Sequence, residues 1–198
     1  QVPVVRRGIM YLPARGGAYF AKFEADFTCL PQEGADLGAR LDNALTHYLH
    51  RGYQQVVIMN SDGPNLPPSY LIRAFELLED GADVVLGPCE DGGYYLIGLK
   101  QPAPRILREV RMSTNQVFAD TLSLAAEEGL QVSVLPKWYD VDDVRSVSRL
   151  MSDLMGTAPD IAVHTRRFLV QHRDIFAAAR DLLFEENRSC RSPSSSPR

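Results

Sequence analysis

Three acidic turns contain the residues of this chain that are best suited to chemistry. Each turn follows a short apolar run, and the turns comprise residues 60–64, 87–93 and 136–143. Their candidate ligands are Asp62, Asp91 and Asp142, with Asp140 shortly before the last of these. Because carboxylate oxygens suit hard cations, a cluster of these side chains favours Mg²⁺ or Mn²⁺. A metal held there would neutralise charge on a departing diphosphate.

Each acidic residue also has a purely structural interpretation. An Asp before Gly-Pro is common in turns, so Asp62 alone does not establish a ligand. Asp142 or Asp143 could instead cap the helix that is predicted to follow. Residues 91–93 could form a simple hairpin turn. The occurrence of all three turns at predicted strand ends is what favours a functional site.

The elements that must position these turns alternate between two periodicities. Short apolar runs predict strands at residues 56–59, 83–86, 94–99 and 131–135, the first of them buried on both faces. Helical spacing predicts helices at about residues 36–51, 68–80, 115–128 and 144–154. This alternation indicates βαβ units, and therefore an α/β fold with a three-layer, mostly parallel sheet. In such sheets ligands bind beyond the carboxyl ends of the strands, where the acidic turns lie.

The composition is that of a globular protein, with 45% apolar and 23% charged residues. A net charge of −4 and the lack of a basic stripe argue against nucleic-acid and anionic-membrane partners. No apolar run reaches the roughly 18 residues of a membrane span. Three cysteines without paired spacing, Cys29, Cys89 and Cys190, predict free thiols and a cytoplasmic setting. Hydrolase, P-loop and dinucleotide-binding motifs do not occur in the sequence.

We expect one domain over residues 1–156, with further helices over residues 157–186 packed on it. The tail over residues 187–198 is rich in Ser, Pro and Arg and is predicted to be disordered.

Four motifs carry a family resemblance, and they occur in a fixed order. They are QEGADLGARL at residues 32–41, SDGPNLP at 61–67, LGP with DGGYYLIGL within 86–99, and WYDVD at 138–142. Together they resemble the GT-A-fold glycosyltransferase-like family associated in bacteria with arsenosugar biosynthesis. That family is a relative of the molybdenum-cofactor and 2-phospholactate guanylyltransferases. The resemblance covers about residues 11–154.

The resemblance implies a role for each acidic residue. Asp62 and Asp142 would be the metal carboxylates, and Asp140 would be an outer or alternate ligand. Asp91 would join them in catalysis. The residues implied on the acceptor or sugar side are Asp91, Gly92, Gly93 and Tyr94.

The resemblance also implies a nucleotide site. Residues 32–41 resemble the segment that lies against the nucleobase in related nucleotidyltransferases. The residues implied in nucleotide binding are Gln32, Gly38, Ser61 and Asp62. Two differences from the family matter. Residues 1–7 do not supply the family's opening strand and its phosphate loop with Lys and Arg, so the chain would be a fragment or a shortened form. Residues 143–146 replace the family's Thr-Pro-Glu-Asp, which predicts a weaker start to the next helix.

The expected function is metal-dependent transfer of a sugar from a nucleotide diphosphate sugar to a small-molecule acceptor. One alternative is nucleotidyl transfer from a nucleoside triphosphate to a phosphorylated acceptor, which would use the same acids. The other alternative is a non-catalytic binding or regulatory protein, which the missing phosphate loop favours and the retained acidic residues oppose.

Overall fold

The observed elements alternate between strand and helix over most of the chain. The computed structural model describes residues 6–176. The strands are β1 (Gly8–Tyr11), β2 (Thr28–Pro31), β3 (Val56–Met59), β4 (Val84–Pro88), β5 (Tyr94–Leu99) and β6 (Val132–Val134). The helices are α1 (Gly17–Phe20), α2 (Leu37–Leu49), α3 (Pro68–Glu79), α4 (Arg105–Arg108), α5 (Val117–Glu127), α6 (Val144–Met155) and α7 (Val163–Gln171).

The strands and helices predicted between residues 36 and 154 are all present, with ends within about two residues of the expected positions. The sequence patterns predict no element for β1, β2 or α4. Beyond Gly156 the structure shows α7, whereas the remaining predicted helix and the tail over residues 187–198 lie outside the described residues. None of the helices within residues 6–176 has the length and apolar character needed to cross a bilayer.

The larger sheet is mixed, so the prediction of a mostly parallel sheet is wrong. Its four strands lie in the order β3-β5-β4-β6, and β5 runs antiparallel to both of its neighbours. The physical reason is the connection between β4 and β5, which consists of residues 89–93 only. A parallel crossover needs about a dozen residues or more, whereas a connection this short supports only an antiparallel pair.

The strands that precede the three acidic turns nevertheless run in one direction. β3 and β4 are both antiparallel to β5, and β6 is parallel to β4. The carboxyl ends of β3, β4 and β6 therefore lie at the same edge of the sheet. The part of the fold prediction on which the site hypothesis depends is confirmed.

Apolar side chains on the two faces of this sheet form two separate cores. One face carries Val84 and Leu86 and packs against α2, α4 and α5; its other buried members include Leu45, Ile97, Leu99, Ile106, Leu107 and Ala125. The opposite face carries Val85 and packs against α3; its other buried members include Ala74, Leu78, Tyr95, Leu96 and Leu135. Because successive residues of a strand point to opposite faces, β4 contributes to both cores. The predicted three layers are therefore present.

The strand β3 is less buried than its apolar sequence predicts. Val56–Met59 is half-buried, and Met59 is 39% exposed. Among residues 6–176 only β5 pairs with β3, so β3 lies at an edge of the sheet and is not covered on all sides. β1 and β2 form a separate parallel pair, and within the same residues β1 has no second partner.

The described residues form two compact units. The first contains the chain up to Asn60 together with Leu66–Tyr139, and it holds both sheets. The second contains Ser61–Asn65 and the chain from Asp140 onward, with α6 and α7. Its small apolar core is built on Leu150, Leu154 and Leu169. The domain boundary predicted at residue 156 stays a prediction.

The short helix α4 packs against the start of α2, and Gly38 makes this approach possible. Gly38 is buried, and a Cβ at this position would lie 2.2 Å from the carbonyl oxygen of Leu107. A backbone atom cannot move aside as the end of a flexible side chain can, so only glycine fits. Helix packing thus explains the presence of Gly38, and its predicted contact with a nucleotide stays a prediction.

Gly38→Ala should lower the free energy of unfolding by about 1–3 kcal/mol, because the added methyl group forces α4 away from α2. Gly156→Ala is the control, since a Cβ there makes only an ordinary contact, 3.6 Å from the carbonyl oxygen of Asp153. The control should change stability by less than about 1 kcal/mol. Denaturant titration measures both changes. Equal stability of the two variants would show that the approach of Leu107 imposes no constraint.

Candidate functional site

The turn after β3 exposes the first candidate ligand. The N–H of Asn60 donates to the carbonyl of Tyr95 at 2.9 Å, which extends the pairing of β3 and β5 by one residue. Asp62 is exposed, and its carboxylate accepts from the hydroxyl of Ser61 at 3.4 Å. Gly63 and Asn65 are buried. The second half of this turn is therefore packed in the protein, whereas its first half faces solvent.

A main-chain hydrogen bond joins this turn to the other predicted ligand segment. Within the second unit, the N–H of Val141 donates to the carbonyl oxygen of Asp62 at 2.9 Å. Val141 lies between Asp140, which is half-buried, and Asp142, which is exposed. The bond therefore holds side by side the two segments that carry the predicted metal ligands.

The side chains available for a cation at this position are few. Among residues 6–176, no three His, Cys, Asp or Glu ligand atoms that lie within 4.8 Å of one another include Asp62 or Asp142. Mg²⁺ is commonly held by one or two carboxylates together with substrate phosphates and water. The assignment of Asp62, Asp140 and Asp142 as ligands of Mg²⁺ or Mn²⁺ therefore stays a prediction.

Asp143, and not Asp142, caps α6. The carboxylate of Asp143 accepts from the N–H of Ser146 at 2.7 Å, and the hydroxyl of Ser146 accepts from the N–H of Asp143 at 3.0 Å. These two bonds form a capping box, so the expectation of a weak helix start is wrong. The bonds from Ser146 also hold the pKa of Asp143 below its usual range. Asp142 lies outside the helix, and its N–H donates to the same hydroxyl of Ser146 at 3.0 Å.

The turn between β4 and β5 is closed by its own hydrogen bonds. The N–H of Cys89 donates to the carbonyl of Gly93 at 3.0 Å, and the N–H of Gly93 donates to the carboxylate of Asp91 at 2.9 Å. Asp91 is exposed, whereas the thiol-bearing Cys89 is buried within 4.8 Å of it. The structural interpretation as a hairpin turn is therefore correct, and it leaves Asp91 accessible to a ligand. Sequence reasoning missed Cys89, although its position directly after a strand was a usable signal.

The same turn rests against the start of α5 through Gly92. The N–H of Phe118 donates to the carbonyl of Gly92 at 2.9 Å. Gly92 has a φ of +93°, and a Cβ there would lie 2.1 Å from the carbonyl oxygen of Asn115. Gly93 has neither property, because its Cβ would meet only the carboxylate of Asp91 at 3.2 Å. The positive φ and the close backbone approach are therefore properties of Gly92 and not of Gly93.

Tyr94 points into the core and not along the turn. Its ring packs against the core that faces α5, and its buried hydroxyl lies beside that of Thr121. Burial raises the pKa of Tyr94 well above the usual value, and the hydroxyl of Thr121 offsets this only in part. Tyr94 therefore has a packing role in the core, and its predicted contact with a sugar or acceptor stays a prediction.

The turn before α2 is anchored on β1. The backbone N–H of Gln32 donates to the carbonyl of Tyr11 at 2.9 Å, and its side-chain amide donates to the carbonyl of Met10 at 2.9 Å. The side-chain amide of Asn43 donates to the carbonyl of Glu33 at 2.8 Å. Residues 33–37 are exposed. This predicted nucleotide-binding segment is therefore held by the hydrogen bonds described above and still has a surface open to solvent.

The predicted thiols have the expected state where they are described. Cys29 and Cys89 are free, and Cys190 lies outside the described residues.

A family of uncharacterized proteins conserved in bacteria, DUF2064, matches residues 1–114. The chain belongs to this family. No curated protein matches the chain.

A solved structure is also similar to this DUF2064 chain. It is the crystal structure of a protein from Desulfovibrio desulfuricans G20 that is provisionally named a nucleotide-diphospho-sugar transferase. The two are 29% identical, the match covers 80% of this chain and 70% of that chain, and the TM-score is 0.72. The family match and this structure together support the interpretation that the chain is a GT-A-like relative with an α/β fold.

Gly92→Ala should lower the free energy of unfolding by about 1–3 kcal/mol, because alanine is strained at this φ and its methyl group meets the carbonyl of Asn115. Gly93→Ala should cost less than about 1 kcal/mol, since the carboxylate of Asp91 can move aside. Urea denaturation of both variants measures the difference. The structural assignment of Gly92 is contradicted when the two variants unfold at the same urea concentration.

Asp143→Ala should lower the Tm by about 2–4 °C at pH 7, because the N–H of Ser146 loses its acceptor. The pKa of Asp143 is lowered in the folded protein, so its contribution is complete above the unfolded value of about 4 and is lost as the pH falls through the folded value. The Tm difference between the wild type and Asp143→Ala should therefore narrow in acid. Asp143→Asn, which keeps an acceptor, is the control and should melt near the wild type at pH 7. A Tm difference that persists unchanged in acid would contradict this account.

Proposed function

We propose that this DUF2064 protein is a transferase that moves a sugar from a nucleotide diphosphate sugar to a small-molecule acceptor and depends on a divalent metal. The observation that carries the proposal is the hydrogen bond between Val141 and Asp62, which brings two carboxylate-bearing segments together. The likeness to the Desulfovibrio protein supports a nucleotide sugar as the donor. The narrower placement in the family associated with arsenosugar biosynthesis is part of the proposal and rests on the four ordered motifs.

In this proposal Asp62 and Asp142 hold Mg²⁺ or Mn²⁺, with Asp140 as an alternate ligand. Exposure of Asp62 and Asp142 supports this role, because a carboxylate in contact with solvent is accessible to an incoming ion. The capping box supports it too, since the carboxylate that caps α6 is that of Asp143. When bound, the cation would stabilise the negative charge of the leaving nucleoside diphosphate.

The remaining roles follow from the exposed turns. Gln32 and the turn after it would lie against the nucleobase, and Ser61 would bind the nucleotide beside Asp62. Asp91 would act on the sugar or acceptor side, with Gly93 allowing a ligand to approach the backbone closely. Gly92 shapes this turn, and Tyr94 supports it from the core.

Two alternatives differ from this proposal in what they do with a nucleotide. Nucleotidyl transfer from a nucleoside triphosphate would use the same acids. A non-catalytic binding or regulatory function is favoured by the edges of β1 and β3 that have no partner among residues 6–176, because such an edge can accept a strand from another chain.

Asp62→Asn and Asp142→Asn should each abolish the stabilisation that metal plus nucleotide gives the wild type. At a ligand concentration about a hundredfold above Kd, Mn²⁺ with a nucleoside diphosphate should raise the wild-type Tm by roughly 5–10 °C. Both variants should melt at or slightly above the wild-type Tm without ligand, because removing one of two like charges relieves repulsion. Asp160→Asn, which changes an exposed acid outside the motifs, is the control and should respond like the wild type.

The outcomes separate the functions. Equal stabilisation of all four proteins by nucleotide without Mn²⁺ contradicts the metal assignment. Release of a nucleoside diphosphate from a panel of nucleotide sugars supports the transferase, whereas release of pyrophosphate from nucleoside triphosphates supports nucleotidyl transfer. Binding without either product supports the non-catalytic alternative.

A further inference from the structure

An arginine at the end of α4 reaches two neighbouring residues of α2. The guanidinium of Arg108 donates through Nε to the buried carboxylate of Asp42 and through a terminal nitrogen to Oδ1 of Asn43 at 2.6 Å. The other oxygen of Asp42 accepts from the hydroxyl of Thr46 at 3.3 Å. The buried charge of Asp42 is thus paired on both oxygens, which fixes the plane of the guanidinium relative to α2.

The contact with Arg108 determines which way the amide of Asn43 faces. A side-chain amide can rotate by half a turn and exchange its donor and acceptor at little steric cost. A guanidinium offers donors only, so Asn43 must turn its oxygen toward Arg108. Its nitrogen then points to the opposite side, where it donates to the carbonyl of Glu33 at 2.8 Å. Arg108 therefore acts on the turn before α2 through Asn43.

That turn is held at three places, and Asn43 supplies the middle one. Gln32 fixes the start on β1, and the carboxylate of Asp36 fixes the end by accepting from the N–H of Ala39 at 2.8 Å. Between them the backbone is exposed, and Gly34 has a φ of +143°. Without the hydrogen bond to Glu33, the turn would be held only at its two ends.

We propose that Arg108 is a positioning residue that sets the shape of residues 33–36 through Asn43 and thereby the affinity for the nucleotide. The inference rests on the proposed function, because it takes these residues as the nucleotide-binding turn. It adds a residue that the motifs do not contain and that does not itself touch the ligand.

The helix α4 provides a matched control in Arg105. The two arginines are similarly exposed, 40% for the side chain of Arg105 and 44% for that of Arg108, and both form ion pairs. Arg105 pairs with Glu109, directly after α4, and with Glu127 and Glu128 at the end of α5. Replacement of either arginine removes ion pairs from α4, but only replacement of Arg108 releases the amide of Asn43.

The decisive variant is Asn43→Asp. It keeps the size of the side chain and an acceptor for Arg108, yet it cannot donate to the carbonyl of Glu33. If the network served stability alone, Asn43→Asp would fold stably, because its added charge lies beside Arg108. It would then bind the nucleotide with the affinity of the wild type. If Arg108 and Asn43 position the turn, Asn43→Asp should retain the Tm to within a few degrees and still lose affinity.

The first measurement is backbone ¹⁵N relaxation of residues 33–36 in the full chain without ligand. Order parameters near 0.85 in the wild type and in Arg105→Met should fall below about 0.6 in Arg108→Met and Asn43→Asp. This readout does not depend on any nucleotide. Unchanged order parameters in both of the latter variants overturn the inference.

The second measurement is calorimetric titration with a panel of nucleoside diphosphates in the presence of Mn²⁺. Arg108→Met and Asn43→Asp should each raise Kd roughly tenfold, and the double variant should raise it about tenfold and not a hundredfold, because both changes remove one interaction. Arg105→Met should stay within about twofold of the wild type. Equal effects of the Arg105 and Arg108 changes on Kd, or additive effects in the double variant, overturn the inference. A wild type that binds none of the nucleotides overturns the proposed function and the inference together, and that result is seen before any variant is compared.

Discussion

The short connection between β4 and β5 is the constraint on which the rest of the sheet depends. It allows only an antiparallel pair, so β5 is inserted between β3 and β4 with its direction reversed. The reversal leaves β3, β4 and β6 running the same way. The connection is favoured by Gly92, which accepts a positive φ against the carbonyl of Asn115. One glycine thus supports both the strand order and the common edge at which the acidic turns begin.

The candidate metal site is held together by the main chain more than by side chains. The bond from Val141 to Asp62 fixes two loops relative to each other, whereas the carboxylates of Asp62 and Asp142 are exposed. A cation bound there would have few protein ligands and would need oxygens from a second molecule. Metal and phosphorylated ligand would then each increase the affinity for the other, as expected of a site that forms fully only with its substrate.

Much of this could be predicted from sequence, because local patterns determine it. Apolar runs predict the positions of β3 to β6, and Asp143 is one of two candidate caps for the helix that follows, although the full capping box with Ser146 is not predicted. The direction of β5 follows from the length of its connection to β4. The alternation of strand and helix patterns does not indicate that direction. The edge position of β3 depends on which strands pair, and no local signal encodes that. The pair of Asp42 and Arg108 joins residues far apart in the chain, so neither residue indicates its partner.

The residues that maintain the fold and those proposed to act on a ligand are largely different. Gly38 and Gly92 are required by close backbone contacts, and Asp143 is required by a helix start. Asp62 and Asp142 lie in exposed turns outside the helices and strands. The bond from Val141 to the carbonyl of Asp62 holds the two turn segments together through the main chain. If both carboxylates face one cation, as proposed, the cation would offset their like charges, and the main-chain bond would keep the two segments from separating before it binds.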